Sequence, residues 1–320
     1  REDMRRYSAT GKLNAQLTDH IDLGYSMRFI REDYTKPSAM NDGLYENLAR
    51  QNWPNLPLYD NNGNPYSDVW PGRDFLQGGT YEKVTDNIYQ QLSLSIEPIK
   101  NWVTTLEFNY KIKSADTKSS SLKTYNCDIY GNPVDKDKAT TSVTEERYLE
   151  NYLNGNLRMN YSFTAGDGHN FAFMAGAQVE NLMQKQTGIT AYGLVSDALP
   201  EIDLTTGLIW DSASSSWVKK DLSPYGNRNS WATAGFFGRI NYDWKGRYLV
   251  EGNIRYDGTS RYRDNLRWNL YPSISLGWNI ANEDFWAPYR RYMDLWKLRA
   301  SYGSLGNQNT NGWYPTYSTF

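Results

Sequence analysis

The residues equipped for bond-making chemistry in this chain of 320 residues are few and poorly spaced for it. The two histidines, His20 and His169, both fall in short turn-like segments with no serine or cysteine nucleophile motif beside them. The segment GSLG, residues 303–306, does not match a nucleophile elbow. Glu145-Glu146 and Glu283-Asp284 are adjacent carboxylates at element boundaries. Consecutive side chains on a strand point to opposite faces, so neither pair is shaped for acid–base work, and both read as solvated. Cys127 is the only cysteine, which leaves it without an internal disulfide partner or a metal-binding spacing. Asp60, Asn62 and Asn64 imitate the start of a calcium loop, but its last ligand position holds Pro71 instead of a carboxylate. A Gly/Asn turn accounts for them better, and CDIYGNPVD, residues 127–135, reads as another. No enzyme activity, cofactor or metal ligand is expected.

Binding chemistry is better represented. Aromatics make up 15% of the chain, with 26 Tyr and 12 Trp, and many lie in polar segments. Flat rings stack on sugar faces and on peptide side chains, and polar neighbours supply hydrogen bonds. On that chemistry the candidate substrate-binding residues are Trp53, Trp70, Arg73, Asp74, Tyr81, Trp210 and Trp217. The competing reading is that such rings form the internal cores of folded loops or contact a covering partner.

These side chains need elements to hold them, and the period of the apolar residues names the element. In RWNLYPSISLGWN, residues 267–279, every second residue from Trp268 is apolar, through Leu270, Pro272, Ile274, Leu276 and Trp278. Asn269, Tyr271, Ser273, Ser275, Gly277 and Asn279 lie between them. This period of two is that of a strand with one oily and one wet side. It recurs from end to end. Leu13 to Leu17 pairs with Ile21 to Phe29 through Thr18-Asp19-His20, and Ile88 to Ile96 pairs with Trp102 to Ile112. Leu153 to Phe163 pairs with Phe171 to Val179, and Phe236 to Trp244 pairs with Tyr248 to Tyr256 across Lys245-Gly246-Arg247. A helix-like connection from Ala281 to about Asp294 precedes Leu298, Ala300 and Tyr302. Roughly ten strands follow from this count.

Lipid is the expected neighbour of the oily rows. Only 39% of residues are hydrophobic and mean hydropathy is −0.75, so no apolar run of helix-spanning length exists. Strands that alternate keep mean hydropathy low and can still cross a bilayer. Connections within the pairs are short, while those near 34–87, 114–146, 183–230 and 257–267 are long, the asymmetry of an outer-membrane barrel. From Trp268 to Trp278 is roughly 33 Å of strand, about 25 Å of height at a usual tilt, which is the apolar band of such barrels. The expected fold is therefore all-β, a transmembrane antiparallel β-barrel, with residues 1–320 forming part of a single barrel domain. Its polar rows would line the lumen at Glu107, Asn109, Arg158, Asn160, Arg239, Asn241, Glu251, Asn253, Arg255 and Arg299. The alternative is a soluble or surface-attached β-rich carbohydrate-binding protein. With 34 basic and 36 acidic residues there is no basic excess, and nucleic acid is not an expected partner.

Four linked motifs add a resemblance: RYDGTSRY (255–262), RWNLYPSISLGW (267–278), EDFW (283–286) and LWKLRASYGSLGNQN (295–309). In this order they resemble the barrel of SusC/RagA-type TonB-dependent outer-membrane transporters of Bacteroidetes. DYTKP (33–37) and PLYDNNGNPY (57–66) look like that family more loosely. The resemblance implies a 22-stranded barrel, a plug not included in this chain, and location in the outer membrane. It further implies uptake of glycans or peptides, a SusD-like surface lipoprotein as a lid, and energy from the TonB-ExbB-ExbD complex through the plug. On this reading the chain is a piece of something longer and supplies a little under half of the barrel wall. Arg255, Asp257 and Arg261 then either line the lumen and hold a plug or loop, or maintain the fold at a strand's outer end.

Overall fold

The computed structural model describes residues 2–41, 43, 46, 50, 59, 63, 72–127, 130, 132–135, 140–211, 213–307 and 312–316. Ten strands form one sheet: β1 (Asp3–Thr18), β2 (Ile21–Pro37), β3 (Thr80–Ile99), β4 (Trp102–Ser121), β7 (Ser142–Ala165), β8 (His169–Tyr192), β11 (Ser223–Trp244), β12 (Tyr248–Thr259), β13 (Trp268–Asn279) and β14 (Lys297–Gly303). They lie side by side in that order, each antiparallel to the next, as an up-and-down meander. Four small strands make two separate hairpins, β5 (Tyr125–Cys127) with β6 (Pro133–Asp135), and β9 (Leu208–Asp211) with β10 (Ser216–Lys219). The first brackets the Gly/Asn turn expected in CDIYGNPVD. A short helix, α1, covers Gly72–Gln77.

The tight turns fall where the pattern put them. At the β11–β12 turn Arg247 N–H donates to Trp244 O at 2.8 Å, and the central residues Lys245 and Gly246 have φ of 52° and 66°. This left-handed sense matches the twist of the flanking strands and costs Gly246 little. The long connections are shorter than expected, because the strands run on into them. β2 reaches Pro37 and β3 starts at Thr80; β4 and β7 extend to Ser121 and Ser142; β8 and β11 extend to Tyr192 and Ser223; β12 ends at Thr259. These outer portions, such as Thr144-Glu145-Glu146-Arg147, carry polar side chains on both faces, so the ladder continues where the alternation fades.

Register carries the alternation across the whole sheet. One transverse row reads Leu94, Leu106, Leu157, Ala177, Phe236, Tyr256 and Leu270, and another, nearer the tight turns, reads Phe163, Phe171, Tyr242, Val250 and Leu276. Among the described residues nothing packs over this face: Leu106, Phe236, Ile254 and Ile274 are all about half exposed. Among the described residues the buried apolar side chains are only Ile30, Ala115, Val143, Ala191, Ile280 and Ala281, far short of a core for so large a sheet. Aromatic rings border the apolar face at both limits. Phe163, Phe171 and Tyr242 stack near the tight turns beside His169, Trp244 and Tyr248, and Phe236 and Tyr256 stack on Trp268 at the other limit. Beyond the second limit the same face turns charged, with Arg31 paired to Asp86 at 3.0 Å and Arg147 to Asp116 at 3.6 Å. His169 is therefore a strand residue in the aromatic rim, not a turn residue as its sequence context suggests; its Nδ1 lies 2.8 Å from the Tyr242 hydroxyl.

Candidate functional site

The opposite face gathers the polar residues. Cross-strand register places all ten of Glu107, Asn109, Arg158, Asn160, Arg239, Asn241, Glu251, Asn253, Arg255 and Arg299 on it. A side chain on one strand therefore meets polar partners on the next, and a hydrogen-bonded belt results. Arg255 Nε bonds both Asp257 carboxylate oxygens, at 2.8 and 2.6 Å, while its Nη2 reaches Gln178 Oε1 at 3.1 Å. Gln178 donates to Glu180 at 2.7 Å, and Asn154 donates to the same carboxylate at 3.3 Å. Asn156 and Asn109 in turn donate to Asn154 Oδ1, at 2.7 and 3.3 Å. Side-chain hydrogen bonds thus link β12, β8, β7 and β4 in addition to the backbone ladders, with the Arg255–Gln178 bond passing over β11. Lower on the face Arg239 Nε donates to Asn253 at 2.6 Å, and Asn253 donates to Glu251 at 2.9 Å.

Small residues make room for the belt. A β-carbon at Gly235 would collide with the Asp257 carboxylate, and one at Gly176 with the Phe237 ring. Phe237 in turn lies under the Arg255 guanidinium, 5.7 Å away. Asp257 is mostly covered, its side chain 12% exposed, so its pairing with Arg255 is shielded on one side from water. Arg261, the third member of the motif, sits over the Trp231 ring at 4.9 Å. A second cluster lies toward β3: Lys111 Nζ and the Tyr148 hydroxyl both bond Glu150, at 2.9 and 2.6 Å, and Lys111 and Arg28 flank the Tyr89 ring. Pattern reading passed over Gln178, Glu180, Tyr148 and Glu150. The signal was there, because Gln178 and Glu180 alternate with Ala177 and Val179.

The candidate substrate residues are scattered. Trp53 and Trp70 lie outside the described residues. Arg73 belongs to α1, as does half-buried Asp74, whose carbonyl accepts the Gly78 N–H at 2.9 Å. Tyr81 is not a loop residue: it lies on β3, edge-on to Tyr34 with ring centroids 6.3 Å apart, and Lys36 Nζ is 5.3 Å from its ring. Trp210 and Trp217 do come together, as directly paired residues of the β9–β10 hairpin with a 5.7 Å edge-to-face contact. Trp217 is half exposed and borders a cleft of about 470 Å³ with Tyr125, Thr141, Leu194 and Leu208.

The carboxylate pairs behave differently from expectation. Glu283 is buried, at 8% exposure, while Asp284 is open. Arg247 from the β11–β12 turn bonds both, at 3.4 and 2.6 Å, and the Trp278 indole N–H donates to Glu283 at 2.9 Å. That indole hydrogen bond first, and then the Tyr248 hydroxyl and the Arg247 charge, hold the Glu283 carboxyl below the usual carboxylate range against the opposing effect of desolvation. Glu146 is likewise engaged, accepting from Gln186 and Tyr225 at 2.7 and 2.8 Å. Both arrangements act as structural staples between separate elements.

Comparison with known proteins gives a consistent placement. The family model described as TonB dependent receptor-like, beta-barrel, matches residues 24–319. The TonB-dependent receptor P39 of Formosa agariphila is 26% identical over 95% of this chain and 27% of its own length. The TonB-dependent receptor SusC of Bacteroides thetaiotaomicron is 39% identical over 90 residues, covering 28% of this chain and 9% of that protein. Among solved structures, the RagAB peptide importer in its closed-closed state superposes with a TM-score of 0.71 at 17% identity, over 94% of this chain and 32% of the other. The chain spans about a quarter of the length of curated relatives such as P39.

Proposed function

Because the chain belongs to the TonB-dependent receptor-like β-barrel family of the outer membrane, we propose that it forms part of the wall of a nutrient importer for glycans or peptides. The wall does no bond-making chemistry. Its outward rows face hydrocarbon and its inward belt borders a hydrated passage that holds a plug and passes substrate. The observation that carries this reading is the opposition of two faces on the same strands, one apolar and exposed, the other polar and cross-linked. A soluble carbohydrate-binding protein would hide its apolar rows against one another, and the family match removes that alternative.

The remaining parts of the reading are what the resemblance to SusC/RagA-type transporters implies. A SusD-like surface lipoprotein would serve as the lid over the long loops, and the TonB-ExbB-ExbD complex would act through a plug carried elsewhere in the full protein. The paired Trp210 and Trp217 on their hairpin, with Trp53, Trp70, Arg73, Asp74 and Tyr81, are the proposed substrate or lid contacts. Growth of a strain lacking the full-length gene on oligosaccharides or peptides as sole carbon source tests the assignment. Loss of growth on one class, restored by the gene, supports import and names the class. Unimpaired growth and uptake on every class would count against it.

A further inference from the structure

The connection between β13 and β14 differs from every other tight connection at its end of the sheet. The turns at Asp19-His20, 100–101, 166–168 and 245–247 are two or three residues long, whereas 280–296 is a folded segment with two short 3₁₀ turns, Ile280–Asn282 and Asp284–Tyr289. It is fixed in place. Asn282 Nδ2 donates to Gly246 O at 2.8 Å, Arg290 Nε to Ala281 O at 2.7 Å, and Trp286 packs edge-on against Trp296 at 4.4 Å. Arg247 binds Glu283 and Asp284 from the neighbouring turn.

The segment also has a side. Glu283 is held by Trp278 and Tyr248, which belong to the apolar row and form its aromatic limit, and Leu298 of the same row follows directly. The segment is thus seated under the lipid-facing edge of the wall. Despite this fixed fold it leaves large apolar groups open: Phe285 is 60% exposed and Tyr292 75%, with Tyr289, Met293 and Leu295 alongside. The Arg291 guanidinium lies 4.4 Å from the Tyr292 ring. Amphipathic rings with a cation beside them, placed at the end of an apolar band, match the chemistry of a bilayer interface.

We propose that residues 280–296 form an interfacial foot that lies in the headgroup layer of the phospholipid leaflet at the tight-turn end of the strands. Phe285, Tyr289, Tyr292 and Leu295 enter the boundary between headgroups and acyl chains, and the Arg247 staple sets their depth. The inference rests on the lipid-facing assignment of the apolar rows and extends it beyond the strands.

The test uses the full-length protein in phospholipid vesicles, with native cysteines replaced and single cysteines introduced as F285C, Y292C, I274C and H20C. Each carries a nitroxide, and its relaxation is measured with oxygen, which concentrates in lipid, and with a water-soluble nickel chelate. Labels at 285 and 292 are expected to lose most of the nickel effect seen at 20 and to keep an oxygen effect approaching that at 274. Nickel exposure equal to that at 20 would overturn the foot, as would shielding from both agents, which would mean that another part of the protein covers the segment. Nickel exposure at 274 would overturn the wall assignment itself. Heat-modifiable gel migration confirms that each labelled protein is folded.

Discussion

The two faces of the sheet share the same backbone and differ in the side chains they carry and in what those side chains meet. On the outward face Leu106, Phe236, Ile254 and Ile274 carry no polar partner and remain open. On the inward face side chains of β12, β8, β7 and β4 are joined by hydrogen bonds that begin at Arg255 and end at Asn109. The difference teaches that one strand can satisfy two solvents, provided that its backbone groups are all spent in the ladder. On the proposed barrel reading, stability on the apolar face then comes from the surrounding hydrocarbon, and on the polar face from partner geometry.

Placing a charge on each face in turn separates the two most strongly. Ile274→Arg is expected to cost about 2 to 4 kcal/mol in a bilayer, because hydrocarbon offers the guanidinium no partner. Ser275→Arg, one residue along on the inward face opposite Glu251, is expected to cost about 0.5 kcal/mol or less. Urea unfolding of the full-length protein in lipid vesicles measures both, and equal costs would erase the distinction between the faces. Next in size is the inward belt. Asp257→Ala leaves the Arg255 guanidinium without its main partner and should cost about 1 to 3 kcal/mol, since hydrogen bonds to charged groups are the stronger ones. A double-mutant cycle with Arg255→Ala should show positive coupling, and strict additivity would mean that the belt is decorative.

A smaller effect is expected at the rim staple. Glu283 has its carboxyl held below the usual range when folded, so it contributes stability that is fully present above the unfolded carboxylate pKa of about 4 and is lost as pH falls through the folded value. Acid should therefore loosen the 280–296 segment, and the hydrogen-exchange protection there, corrected for the intrinsic rate at each pH, should lose that acid dependence in Glu283→Gln. The smallest effect on folding is expected at the loop hairpin. Trp217→Ala removes an edge-to-face contact of about 0.5 to 1.5 kcal/mol that is local to β9 and β10, and it should leave the unfolding of the sheet unchanged while, on the proposed reading, weakening solute capture by the full-length protein. A global loss of stability would mean that this pair is core and not contact surface.

Much of this was legible from period alone. The row from Trp268 to Trp278, the tight turns at Asp19-His20 and Lys245-Gly246, and the gathering of Glu107 to Arg299 on one polar face all follow from alternation, because register copies the parity of one strand to the next. The outer halves of β7 and β8 were not legible, since Glu145, Glu146 and Arg147 are polar whichever face they occupy. Glu283 misled for a different reason. Its pairing with Arg247 and Trp278 joins separate elements and leaves no trace in local spacing. Tyr81 lies in a polar stretch that looks like loop, yet it is a strand residue, because β3 continues past the point where its apolar row ends.

The central claim is that hydrocarbon solvates the apolar rows, and photolabelling by lipids with a diazirine in the acyl chain tests it most directly. In the full-length protein in bilayers, adducts mapped by mass spectrometry should fall on Leu106, Leu157, Phe236, Ile254 and Ile274, with none on Asn109, Asn154 or Arg239. Adducts on the polar row, or apolar rows that resist labelling, would contradict the account.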